Sequence, residues 1–144
     1  MGLGIDIYLH FDKTEPIEKI EAIKFHGFDA RDGLNLLMTG IDYIEVENEK
    51  RLLNIIEKQL NIDLSLLDFW KHEEGIDIYL LKGTLMELKS KIEANPKFYK
   101  DIHYGFDIEE IYLKSKFLRD INYMLDRLNI NIENGAEKVK FETE

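Results

Sequence analysis

The chain contains no cysteine. That excludes disulfides, thiolate nucleophiles and cysteine-held zinc together, and leaves only His and carboxylate side chains as ligands for any metal. Proline occurs twice and serine three times, too sparsely for a flexible linker, so the 144 residues read as a single domain spanning 1–144. None of the serines, Ser65, Ser90 and Ser115, sits in a Gly-x-Ser-x-Gly turn. Long apolar runs are also missing: every charge-free stretch is far shorter than the roughly 20 residues that cross a bilayer. The opening MGLGIDIYLHF has no basic segment and carries Asp6 inside its apolar run, so the expected location is the cytosol and not a secretory route.

Basic charge is the other scarcity. Nineteen Lys and Arg face 29 Asp and Glu, for a net charge of −10. Nucleic-acid affinity comes mainly from cations that neutralise phosphates, so direct DNA or RNA binding is disfavoured. The same field steers a protein toward basic partners, although solubility alone is the plainer explanation of acidity. Four Ala against 19 Ile, and four Arg against 15 Lys, are the usage of AT-rich coding DNA and point to an AT-rich bacterium or a phage of one.

What is abundant is patterned hydrophobicity. In Ile5–Phe11, Ile5, Ile7, Leu9 and Phe11 alternate with Asp6, Tyr8 and His10, the period of a strand with one buried face. Ile17–Phe25 has helical spacing behind Pro16, Leu34–Met38 a further helical turn, and Ile41–Val46 a second strand-like run. A helix from an Asn48 cap carries Leu52, Leu53, Ile55, Ile56 and Leu60 on one stripe, and Ile62–Trp70 reads as a turn delivering Phe69 and Trp70 to the core. GIDIYL then recurs at Gly75–Leu80 and predicts a second core strand to Leu81. Thr84 and Glu87 have capping-box spacing for a helix to Ala94, and Asp107 and Glu110 open a long helix to Leu128. Beyond Asn134-Gly135, Val139 and Phe141 alternate with lysines in an expected edge strand. The expected fold is α+β, or α/β: a two-layer domain with a mixed sheet of about four strands packed with about four helices.

If the two GIDIYL strands were adjacent, Asp6, Tyr8, His10, Asp77 and Tyr79 would share one face and line a site for a nucleotide-like ligand or acid–base chemistry. The plainer alternative is a half-wet sheet face. The loop Phe98–Phe106 gathers Phe98, Tyr99, His103, Tyr104 and Phe106, a composition found at interfaces and equally in core anchors. Asp42, Glu45 and Glu47 resemble the carboxylates of magnesium nucleases but lack the lysine two residues after the acidic ligand, and read better as an acidic partner-facing strand. The four histidines have no metal-motif spacing. No catalytic residue, metal or cofactor is therefore assigned.

MGLGIDIYL, with Asp77-Ile78-Tyr79-Leu80 before a capped helix and an aromatic loop before the helix at 107–128, resembles small phage- and prophage-encoded proteins with MGLDIYL openings. The likeness covers about half the chain, departs by one inserted residue within Met1–Gly4, and lacks the Trp-rich middle of that group. The resemblance implies a mobile-element origin and carries no catalytic residues. Together these readings lead to an acidic, non-enzymatic phage protein in the bacterial cytosol. It would bind a protein with a basic surface, such as a nucleic-acid-binding immune nuclease, as an anti-CRISPR-type inhibitor. It would bind no membrane, and a homo-oligomer is compatible with the sequence. The alternative is a small-molecule binder or small enzyme using the Asp/Tyr/His face.

Overall fold

The structure, a computed structural model, describes residues 7–12, 22–24, 34–40, 51–102 and 107–143. Its elements are β1 (Ile7–Phe11), β2 (Ala22–Lys24), α1 (Leu34–Thr39), α2 (Leu52–Leu60), β3 (Ile76–Asp77), α3 (Ile78–Ala94), α4 (Asp107–Ser115), α5 (Phe117–Glu133) and β4 (Lys138–Thr143). The fold is α+β. Three antiparallel strands lie in the order β2-β1-β4, and the two-residue segment β3 extends the far side of β4. Every described pairing is antiparallel, where the sequence suggested a mixed sheet.

Register follows the hydrophobic pattern. Leu9 pairs with Phe141, and Phe11 with Val139, which on its other side pairs with Ile76. All five are buried, so this face of the sheet is the core face. The buried side chains of the helices and the sheet form one continuous cluster, with Leu53, Ile56, Leu81, Leu85, Leu88, Phe117, Ile121 and Leu128 among its members. Burying each such side chain contributes about 1.5–3 kcal/mol. Because β3 covers one edge of β4 at Val139 and Lys138, β4 is an inner strand there, not the expected edge strand.

Several expectations are corrected. Ala22–Lys24, read as the end of a helix, is a strand paired with Tyr8–His10. Arg51, not Asn48, is the residue before α2, and it supplies no side-chain cap. Trp70, expected in the core, is 56% exposed, and its indole Nε1 donates to the Thr39 carbonyl at 2.6 Å. The long helix from Asp107 is two helices broken at Lys116, and its Ile111 is 58% exposed. The break lets Tyr112 and Phe117 pack together, with ring centroids 5.8 Å apart.

The largest correction concerns the second GIDIYL. Only Ile76 and Asp77 are extended, and α3 begins at Ile78. The Asp77 carboxylate is the reason: its Oδ1 accepts from the backbone N–H groups of Tyr79 at 2.8 Å and Leu80 at 3.2 Å, two of the donors a helix start leaves unpaired. Thr84 and Glu87 therefore lie inside α3 and cap nothing.

Candidate functional site

Of the five residues expected to form a ligand face, the described ones, His10, Asp77 and Tyr79, are not brought together. β4 lies between β1 and β3, so the two GIDIYL copies stand two strand spacings apart, roughly 10 Å. His10 is opposite Lys140, while Asp77 is opposite Lys138 and is engaged in capping α3. Tyr79 has left the sheet altogether, onto the first turn of α3. Asp6 lies outside the described residues, and of Tyr8 only the backbone pairing is described. His10 does line a notch of about 350 Å³ with Asp12, Glu74, Lys138 and Lys140. Asp12 is committed there, since its Oδ1 accepts from the N–H groups of Glu137 at 2.9 Å and Lys138 at 3.0 Å.

Of the aromatic loop, Phe98 and Tyr99 are buried and stack edge to face, with Phe98 also against Phe117. They anchor the loop to the core and are withdrawn as contact residues. His103, Tyr104 and Phe106 lie outside the described residues, as do Asp42, Glu45 and Glu47. Among the described residues no three His, Asp or Glu side chains are grouped as metal ligands, and no helix is long and apolar enough to cross a membrane.

The feature that sequence reasoning missed is the outward face of α3. Ile78, Leu81, Leu85, Leu88 and Ile92 are its buried stripe. On the opposite face, Tyr79, Leu80 and Met86 are 59%, 62% and 53% exposed, half of the large exposed hydrophobic residues among those described. Tyr79, Gly83, Met86 and Ser90 follow one another at spacings of four, three and four, a straight line along the helix. Helical numbering from Asp77 would have shown this line, but reading Gly75–Leu81 as a strand hid it.

Charge surrounds the line unevenly. Asp77 is exposed at its N-terminal end, and Glu87 is exposed beside Met86. Glu87 also borders a shallow groove toward α2 that contains Glu57, Lys58 and Asp63. The Asp63 carboxyl is held below the usual carboxylate range, chiefly because its Oδ1 accepts the Ser65 backbone N–H at 2.9 Å, helped by the Ser65 side chain. On the other flank, a groove of about 470 Å³ between α3 and α5 has Lys82, Lys89 and Glu93 on one wall, Asp126 and Asn129 on the other, and Met86 and Leu125 as its apolar residues. Such an apolar strip with a charged margin has the make-up of a protein-contact surface. Compared with protein-family models, with curated proteins and with solved structures, the chain matches none.

Proposed function

We propose that this protein is an acidic, non-enzymatic binding protein that occupies a basic surface of another protein. The observation that carries the reading is the grouping of Tyr79, Leu80 and Met86 on the outward face of α3 with the exposed carboxylates of Asp77 at its start and Glu87 beside Met86. Single exposed apolar residues need no explanation, but three within about two helical turns, edged by carboxylates, supply both parts of a contact: apolar area for affinity and charge for orientation. The net charge of −10 adds long-range steering toward a cationic partner.

A basic nucleic-acid channel is the target chemistry that this charge matches best. With the MGLDIYL resemblance, this extends the reading to a mobile-element inhibitor of a host nuclease, acting in the bacterial cytosol. Affinity capture from a bacterial lysate at physiological salt tests it, with wild-type protein and a folded Tyr79→Glu variant as parallel baits. The expected result is a basic protein retained by the wild type and lost from the variant. No specific protein on the wild-type bait, or equal capture by both, would overturn it.

A second reading, small-molecule binding, is favoured only by the notch where His10, Lys138 and Lys140 meet Glu74. Thermal stabilisation that rises with added inorganic phosphate or a mononucleotide, and is lost in Lys140→Ala, would favour it over the first.

A further inference from the structure

Gly83 stands in the interior of α3, a helix of 17 residues. An interior glycine costs a helix about 1 kcal/mol relative to alanine, because it loses more backbone freedom on folding. Such a residue is usually accounted for by another element passing close to the backbone. Nothing among the described residues does so: a Cβ placed on Gly83 would meet no atom within 4 Å. Its position does have an outward meaning. It lies four residues after Tyr79 and three before Met86, so it leaves a bare stretch of backbone between two exposed apolar side chains.

We propose that the outward face of α3 receives an amphipathic helix of the partner protein, the two helices crossing at Gly83. The inference rests on the protein-binding reading above and adds the geometry and chemistry of the occupant. Helix axes pack 8–10 Å apart, and small residues at the crossing allow the closest approach. Apolar residues of the incoming helix then lie against Tyr79, Leu80 and Met86. Charge complementarity sets the rest of its chemistry: Lys or Arg toward Asp77 and Glu87, with a neutral side toward the groove where Lys82 and Lys89 stand with Glu93 and Asp126. Recognition by apolar anchors at helical spacing is the helix-in-groove mode.

The test uses three synthetic helical peptides of equal length: one with a Leu stripe and Lys elsewhere, one with the same Leu stripe and Glu elsewhere, and one with Ser replacing Leu and Lys elsewhere. Each is titrated into isotope-labelled protein by NMR, with affinities from fluorescence anisotropy. The Leu/Lys peptide is expected to bind at least about tenfold more tightly than either control, equivalent to about 1.4 kcal/mol, with amide shifts centred on residues 79–87. Gly83→Leu, which fills the crossing point while keeping a good helix former, is expected to abolish that preference, and circular dichroism verifies its fold. Equal binding of the Leu/Lys and Ser/Lys peptides, no binding of the Leu/Lys peptide, or unchanged binding by Gly83→Leu would each overturn the inference. If Tyr79→Glu loses a lysate partner that Gly83→Leu retains, the protein-binding reading stands and the helix crossing fails. An empty wild-type capture removes the protein-binding reading itself.

Discussion

Arg51 donates from Nη1 to Oδ2 of Asp68 at 3.1 Å, and both side chains are almost withdrawn from solvent. The same guanidinium donates from Nη2 to the Met38 carbonyl at 3.0 Å, so it ties the start of α2 to the end of α1 and to the turn carrying Trp70. Asp68 in turn accepts the Trp70 backbone N–H at 3.2 Å. Gly40 completes the arrangement: its φ is +70°, and a Cβ there would lie 2.6 Å from the Arg51 Nε. Removing one partner of a buried ion pair costs about 3–5 kcal/mol where it strands the other charge. Asp68 without Arg51 keeps the largely exposed Lys71 at 3.8 Å and the Trp70 N–H, so the low end of that range applies. Arg51→Ala is expected to lower stability by that amount in urea unfolding, followed through Trp70, the only tryptophan.

A second buried pair locks α4 to α5. The Tyr112 hydroxyl donates to Oδ2 of Asp120 at 2.8 Å, while Arg119 Nε and Nη2 donate to Oδ1 at 3.1 and 3.0 Å. Tyr112→Phe keeps the ring against Phe117 and takes one donor from a fully buried carboxylate. A loss of about 1–3 kcal/mol is expected, measured by the same unfolding curve.

Asp77 is assigned to helix capping and not to a ligand site. Asp77→Ala is expected to cost about 1 kcal/mol, and Asp77→Asn, which retains an accepting oxygen, only a small part of that. Thermal melts of the two variants check the order. Equal losses would contradict the capping assignment.

Asp63 supplies a pH signature. Its carboxyl titrates lower in the folded protein than in the unfolded chain, because the Ser65 N–H favours the ionised form. A depressed folded value means that the unfolded state takes up the proton first. The contribution is therefore complete above the unfolded value of about 3.9 and is lost as the pH falls below it, through the folded value. Carboxyl NMR is expected to place the Asp63 midpoint below the ordinary aspartate value of about 3.9. Asp63→Asn is expected to flatten the acid limb of stability slightly, since the side chain is exposed.

Much of the fold was legible wherever one periodicity ran without a competing local signal. β1, the apolar stripe of α2, the end of α3 at Ala94 and the alternation of Val139 and Phe141 follow directly from the order of apolar residues. The second GIDIYL was not legible, because identical residues took their structure from their surroundings. In β1 the segment has β2 on one side and β4 on the other, whereas at Ile76–Asp77, among the described residues, only β4 pairs with it. The following residues instead continue as a helix capped by Asp77. Thr84 and Glu87 have capping-box spacing seven residues downstream, and that local pattern drew the helix start away from its real cap. The candidate face went unseen for the same reason: Tyr79 and Met86 share a face only once both are placed on one helix. Trp70 was missed because its exposed ring is held by edge-on packing against Phe69 and by a hydrogen bond to the Thr39 carbonyl, a contact across 31 positions that no local pattern encodes.

If the outward face of α3 is the protein-contact surface, the affinity of the captured partner for Met86→Lys, measured beside wild type and Ile130→Lys, reports it. Ile130 is an exposed apolar residue on α5 and controls for a new surface charge. A loss of at least about tenfold is expected for Met86→Lys, about 1.4 kcal/mol, with Ile130→Lys close to wild type. Equal affinities for all three proteins, or a larger loss at Ile130, would contradict it.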